Sequence, residues 1–404
     1  MSSTLCYADD IDVGWDTHGR SEIKDTVQAA AKATTEPKIN SRAAVVMDRN
    51  TKTVLYGRNE TSKRAMASTT KIMTALVVLQ NTNLKNTVTI SKKAAGTGGS
   101  RLKLKTGDKI SVHDLLYGLL LRSGNDAAVA LAEYVGGSVE EFATLMNQNA
   151  DALGLDNTHF VTPHGLDSED HYTTAYELAL LADQALHNPV FAEIVKTKST
   201  TIHINGKSRA INNTNELLGN LNGVYGVKTG FTNGANRCLV TSVKRGDLDV
   251  ICVVLGADTK KDRTKDSVKL IEYVFKTYEN YSMTQKIKEY FSDWYQINQH
   301  RIHIEKGVSR DLALRLSLDD TDISYPIKKG TQADIGITIE FTPTLQAPIP
   351  ENTVIGKLVV TYQGHPVKEM NIVNTKAIKR KQIPHYFRDF FKNYHNYLKI
   401  ILTK

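Results

Sequence analysis

The sequence predicts an α+β fold: an antiparallel sheet flanked by helices (39–280), a small all-β domain (285–375) and a C-terminal amphipathic helix (380–404). Three observations carry this expectation. Strand-like apolar runs occur in pairs, Ala43–Met47 with Thr53–Tyr56 and Arg237–Val243 with Val250–Leu255, and a polar turn joins each pair as in a hairpin. Between the pairs the apolar period becomes helical, from Ser68 to Leu79, from Val112 to Val135 with a break at Ser123-Gly124-Asn125, and over 174–187. After a polar connection near 280–290, short strands separated by Pro343, Pro348 and Pro350 replace the helical pattern.

Taken in order, residues 1–38 read as a leader or linker. Leu5-Cys6-Tyr7-Ala8 followed by Asp9-Asp10 resembles the small-residue end of an export signal whose apolar part is missing, which suggests numbering that starts inside a longer leader. After the first hairpin and its helices, a strand Val224–Thr229 precedes the second hairpin, and a closing helix runs over Ser267–Tyr278. In the β domain the expected strands include Arg301–Ile304, Ile337–Phe341 and Val354–Tyr362, with no helix-length apolar pattern.

Composition narrows the classes. A chain of 404 residues is long enough for two domains plus tails. No apolar run approaches the roughly 20 residues that span a bilayer. The three cysteines are scattered; Cys238 and Cys252 lie in apolar β-rich runs and are expected to be buried thiols. The net charge of +8 is concentrated from Lys376 onward, where eight basic residues face the single acid Asp389, so the basicity belongs to a tail and a nucleic-acid partner is not expected.

Three short motifs carry candidate chemistry: Ser68-Thr69-Thr70-Lys71, Ser123-Gly124-Asn125 and Lys228-Thr229-Gly230. Each is weak alone. Ser-x-x-Lys recurs at Ser21–Lys24 and Ser100–Lys103, and Lys-Thr-Gly recurs at Lys105–Gly107. Context separates the copies. Only Ser68 heads an apolar helix, where Lys71 follows on the same face and the helix N-terminus favours a developing alkoxide. Ser21 lies in the polar leader, and Ser100 follows a Gly-rich turn and precedes alternating Leu102 and Leu104. Only Lys228 ends a strand. Taken without the other motifs, Ser68 and Lys71 read equally well as a helix cap and a solvated lysine.

The wider match resolves this. Arg64–Ala75, Leu120–Ala128, Thr162–Asp167 with His171–Ala175, and Gly226–Thr232 together resemble the serine D-alanyl-D-alanine carboxypeptidases, the low-molecular-weight penicillin-binding proteins. The resemblance is close over about 40–280 and looser in the β domain. It implies that Ser68 attacks the carbonyl between two D-alanines of a cell-wall stem peptide, with Lys71 as general base. A lysine ordinarily titrates near 10.4, so it must be desolvated or crowded by a second cation to work neutral. Ser123 and Lys228 are then expected to supply that environment and a proton path, and Asn125 to orient Lys71 and bond the substrate amide. Lys228 and Thr229 would hold the terminal carboxylate, with Arg263 as a further contact. Gly230 would admit the peptide as an added strand, and the N–H groups of Ser68 and Phe231 would form the oxyanion hole. β-Lactams would acylate Ser68 and leave slowly. No metal or organic cofactor is expected. His164 and His171 are read as structural residues of the site floor, since they form no zinc pattern. One departure bears on fine substrate preference: Asn236-Arg237 stands before Cys238 where the family often has Ala-Gly.

Competing readings share the motifs. A class A β-lactamase usually has Asp where this chain has Gly124, and a Glu-x-x-Leu-Asn segment that is not evident here. A transpeptidase or endopeptidase differs only in acceptor, and a catalytically silent wall-binding scaffold need not retain both Ser68 and Lys71. In the tail, Ile383, Tyr386, Phe387, Phe390, Phe391, Tyr394, Tyr397, Leu398 and Ile401 fall on one helical face beside Arg388, Lys392 and Lys399. That pattern fits in-plane binding to anionic lipid, and the alternative is packing on the β domain. The expected location is the outer face of the cytoplasmic membrane.

Overall fold

The computed structural model describes residues 19–33, 35–309, 312–317 and 322–402. The leader-like segment Leu5–Asp10 lies outside the described residues. The chain divides into two compact units, Met1–Tyr278 and Glu279–Lys404.

The first unit opens with helix α1 (Arg20–Lys32), then strands β1 (Ala43–Asp48) and β2 (Val54–Arg58). A 3₁₀ turn, Ala67–Thr70, leads into α2 (Lys71–Asn81), followed by β3 (Thr87–Thr89), α3 (Lys92–Gly96) and β4 (Lys109–Ser111). Helices α4 (Val112–Leu121), α5 (Asn125–Gly136), α6 (Val139–Ala152), α7 (Ala175–Leu186) and α8 (Pro189–Lys196) form the helical cluster. The hairpin β5 (Ser199–Ile204) and β6 (Lys207–Asn212) precedes β7 (Val224–Thr232), β8 (Asn236–Arg245), β9 (Leu248–Ala257) and α9 (Lys260–Thr277).

The main sheet has the order β2-β1-β9-β8-β7 with antiparallel neighbours throughout, so β7 is an edge strand. Both faces are covered. Ala43, Val45 and Met47 pack with the helical cluster, while Ala44 and Val46 pack with Val268 and Ile271 of α9. That double burial explains why β1 reads as a continuous apolar run rather than an alternation.

Three expectations are corrected. Residues 20–32 are a helix, not linker: Ile23 is fully buried in the α9-side core, and Lys276 Nζ donates to the carbonyls of Ala31 and Ala33. Burying such a side chain is worth about 1.5–3 kcal/mol, enough to hold a polar helix whose one apolar stripe is too short to stand out in sequence. Helix α9 starts at Lys260, earlier than Ser267, because Thr259 Oγ1 accepts from Asp262 N and caps a polar first turn that carries no apolar period. The supposed polar connection of the second unit contains α10 (Thr284–Asn298). Its apolar stripe, Ile287, Phe291 and Trp294, is interleaved with charges; Ile287 is fully buried and Trp294 meets Phe341 edge-on at 5.1 Å between ring centroids.

The rest of the second unit is β-rich. Its four-stranded sheet orders Leu314–Leu316, His365–Asn374, Val354–Tyr362 and Ile335–Phe341, each antiparallel to its neighbour. Helix α11 (Ile383–Leu402) closes the described chain.

Candidate active site

Ser68 does not sit in α2 itself but in the 3₁₀ turn before it, where Ala67 takes a positive φ of 49°. Two threonines hold that turn. Thr69 Oγ1 donates to Met66 O at 2.5 Å, and Thr70 Oγ1 donates to Ala67 O at 2.8 Å. Gly165, at φ +83°, lies beneath: a Cβ there would fall 1.9 Å from Ala67 O, which no side chain permits. Gly230 of β7 closes on the turn from the sheet side, where a Cβ would stand 3.2 Å from Ala67 Cβ, Met66 O and Ser68 N. The absence of a side chain at Gly230 makes room for the serine turn.

Lys71 is fully buried at the start of α2. Its Nζ donates to Ser68 Oγ at 2.7 Å, to Asn125 Oδ1 at 2.8 Å and to His164 O at 2.8 Å. The two latter oxygens can only accept. When the amine is neutral its two hydrogens stay on them, and the lone pair is left facing the Ser68 hydroxyl. That is the geometry for removing a proton from Ser68 Oγ.

Asn125 opens α5, and its own orientation is set from the other side. Its Nδ2 donates to Gly98 O at 2.8 Å and its backbone N to Ser100 O at 2.7 Å. The neighbouring Asp126 carboxylate receives Leu102 N at 2.9 Å and Leu104 N at 3.0 Å, tying the 98–104 segment to the N-terminus of α5. Ser123 is buried at positive φ (59°) in the turn between α4 and α5. The copy at Ser100–Lys103 thus serves as a strap beside the site rather than as a second nucleophile.

On β7, Lys228 is buried and its Nζ donates to Thr229 O at 2.9 Å. The Thr229 hydroxyl bonds that of Thr214 at 2.8 Å. Phe231 carries the Arg237 guanidinium 3.8 Å above its ring. Arg263 departs from its expected role: it is fully buried on α9, and its Nη2 donates to both carboxylate oxygens of Glu216, at 2.7 and 2.8 Å. A guanidinium neutralised by an internal carboxylate has little field left for a ligand.

The two histidines are spoken for. His171 Nδ1 accepts from Val161 N at 2.9 Å, so its Nε2 carries the proton and meets Thr70 Oγ1 at 2.7 Å. Burial first, and the nearby His159 and Lys71 charges, draw its pKa from 6.5 to about 4. His164 is drawn to about 3, chiefly by burial and then by Lys71. Both are neutral at pH 7: His171 supports the serine turn through Thr70, and the His164 ring accepts from Leu166 N at 3.2 Å. Cys238 and Cys252 are buried and form no disulfide among the described residues.

Sequence reasoning missed His164 O, Thr214, Glu216 and Asp126. The first is a backbone atom, visible only as the Pro163-His164-Gly165 turn that presents it. Thr214 and Glu216 lie in an irregular stretch with no periodicity to mark them, whereas Asp126 directly follows the second motif.

A buried lysine on a strained serine turn, faced by the edge strand of an antiparallel sheet, defines a class of acyl-transferring serine enzymes in which an amine does the work of the usual imidazole. Comparison with known proteins gives the particular member of that class. Residues 30–259 match the model of the D-alanyl-D-alanine carboxypeptidase peptidases and 315–380 that of the penicillin-binding protein 5 C-terminal domain. The chain is 34% identical to D-alanyl-D-alanine carboxypeptidase DacF of Bacillus subtilis over 86% of this chain and 88% of the relative. It is 38% identical to DacC of Escherichia coli, covering 76% and 81%. Among solved structures, penicillin binding protein 5 from Haemophilus influenzae superimposes with a TM-score of 0.71 at 29% identity, covering 86% of this chain and all of that one. The Streptomyces K15 DD-transpeptidase superimposes with a TM-score of 0.57 at 39% identity, covering 60% and 99%. The chain belongs to the D-alanyl-D-alanine carboxypeptidase family.

Proposed function

We propose that this protein removes the terminal D-alanine from peptidoglycan stem peptides through an acyl-enzyme on Ser68. The observation that carries the reading is the Lys71 amine, 2.7 Å from Ser68 Oγ and pinned on two acceptor-only oxygens. Lys71 takes the Ser68 proton as Oγ bonds to the carbonyl carbon between the two D-alanines. The developing oxyanion lies between the N–H groups of Ser68 and Phe231, a contact whose loss typically costs about 10²–10³ in rate. Collapse breaks the C–N bond, and the departing D-alanine nitrogen receives a proton from Lys71 directly or through Ser123. Water then attacks the ester by the reverse proton route. The stem peptide pairs with the free edge of β7, its terminal carboxylate toward Lys228 and Thr229. A β-lactam enters the same path and stalls as the acyl-enzyme.

Intact mass after brief exposure to benzylpenicillin tests this. One penicilloyl adduct on wild type and none on Ser68→Ala is the expected result. No adduct with penicillin intact favours a silent scaffold, and hydrolysed penicillin without adduct favours a β-lactamase. The transpeptidase reading, favoured by the likeness to the K15 enzyme, predicts transfer of the acyl group to an added amine in preference to water.

The tail belongs to the same reading. Helix α11 exposes Ile383, Phe387, Phe390 and Phe391, each more than 60% accessible, beside Arg388 and Lys392. Among the described residues no helix is long and apolar enough to cross a membrane. We read α11 as lying in the plane of an anionic bilayer, on the outer face of the cytoplasmic membrane. Deleting 382–404 should abolish flotation with vesicles containing anionic phospholipid; unchanged flotation would sink this part of the reading.

A further inference from the structure

Asn125 offers Lys71 an oxygen only because of the way its amide is turned. An amide has an accepting end and a donating end of nearly the same size, and the reverse orientation would set the Nδ2 donor against the Lys71 amine. The carbonyl on the other side selects the productive orientation: Asn125 Nδ2 donates to Gly98 O at 2.8 Å, and a carbonyl can only accept. Gly98 itself needs holding. It lies in the run Gly96-Thr97-Gly98-Gly99, where glycine at three of four positions leaves the backbone many conformations, and Gly99 takes φ +78°. Such a segment does not fix a carbonyl on its own.

Asp126 supplies the anchor. It is fully buried, and its two carboxylate oxygens divide the strap between them: Oδ1 accepts Leu102 N at 2.9 Å and Oδ2 accepts Leu104 N at 3.0 Å. Between these donors Lys103 stands at φ +57°, a conformation that a non-glycine residue keeps only when its surroundings fix it. Oδ1 also accepts Ala127 N at 3.0 Å in the first turn of α5, so the carboxylate is tied to the helix that Asn125 opens. Hydrogen bonds to an ionised acceptor are the stronger class. The contacts run from Asp126 to Leu102 and Leu104, back along the strap to Gly98 O, and from there through Asn125 to Lys71.

We propose that Asp126 is a positioning residue for the general base: by clamping the strap at Leu102 N and Leu104 N, it keeps Gly98 O where it turns the Asn125 amide oxygen toward Lys71. Asp126 acts through Asn125. The inference rests on the acyl-enzyme reading of Ser68.

The test is a double-variant cycle read in the rate of acylation by benzylpenicillin, followed by intact mass. Asp126→Asn keeps the size of the side chain but turns one accepting oxygen into a donor that opposes a strap N–H. It is expected to slow acylation about 10–100-fold, within the coupling range of residues that share one hydrogen-bond network. In the Asn125→Ala background there is no amide left to orient, so the same substitution should change the rate less than about twofold. A merely structural Asp126 gives losses that multiply in the double variant. That result overturns the inference, and so does a wild-type rate in Asp126→Asn. If Asp126→Asn shows no cooperative melt, Asp126→Ser, whose hydroxyl still accepts one N–H, replaces it under the same criteria. Wild type that takes no penicilloyl group overturns the acyl-enzyme reading, and this inference with it. Acylated wild type with multiplying losses overturns this inference alone.

Discussion

Gly230 leaves the space that a side chain would take from Ser68 across the boundary between sheet and serine turn: a Cβ on Gly230 would stand 3.2 Å from the Ser68 backbone nitrogen. The edge strand and the nucleophile are thereby set as one piece, and the spacing between the two N–H groups proposed to bind the oxyanion depends on this contact.

Gly230→Ala should therefore push β7 away by a few tenths of an ångström. The expected outcome is acylation by benzylpenicillin slowed about 10–100-fold, less than the full loss of an oxyanion donor, with little change in fold. Stopped-flow acylation rates beside a thermal melt check it; a wild-type rate would show the contact to be irrelevant to chemistry.

Asn125→Ala removes one of the two acceptor-only partners of Lys71 and frees the amine to turn its lone pair from Ser68. Acylation is expected to fall about 10²–10⁴-fold, the usual range for a misdirected general base. Because Asn125 Nδ2 also holds Gly98 O, Asn125→Asp should not restore the rate, since a carboxylate cannot donate to that carbonyl. Rates for both variants, read against penicillin, decide the matter.

His171 gives the stability a pH dependence of defined sign. Its pKa is lowered to about 4 in the folded protein against an ordinary 6.5. Between those values the unfolded chain binds a proton that the folded chain excludes, so stability is lost as pH falls from 6.5 toward 4. By pH 4.5 the loss from this group is of order 2–3 kcal/mol. Urea unfolding at pH 7 and 4.5 should show a smaller difference for His171→Gln than for wild type. His164, lowered to about 3, adds a second dependence of the same sign.

Ile23→Ala tests the docking of α1 on α9. Emptying a fully buried isoleucine site typically costs about 2–5 kcal/mol, whereas a substitution in a loose linker costs nothing measurable. Denaturant midpoints of wild type and variant distinguish the two.

Much of the fold was legible in sequence because its signals are local. The run of Ala43–Met47, the period through Ile72, Leu76 and Leu79, and the break at Ser123–Asn125 each report a strand, a helix and a turn by their own composition. Two elements escaped because their apolar content is sparse and is buried only by a distant partner, α1 through Ile23 against α9 and α10 through Ile287 and Trp294; α6, α8 and the β5–β6 hairpin were not read from sequence either.

The site divides in the same way. Ser68, Lys71, Asn125 and Lys228 were singled out from sequence because the residue type is itself the chemistry. Their spacing, together with the family resemblance, determined the fold class and the family by itself. Only the tertiary structure decided how they are aimed. It brought in His164 O, a backbone atom with no sequence signature, to complete the Lys71 cradle. It showed that Gly230 serves contact with the serine turn, placed Arg263 on Glu216, and set Arg237 over Phe231. Each of these is a distance between segments far apart in the chain, and such distances are set by the packing of the sheet against the helices, not by any local pattern of residues.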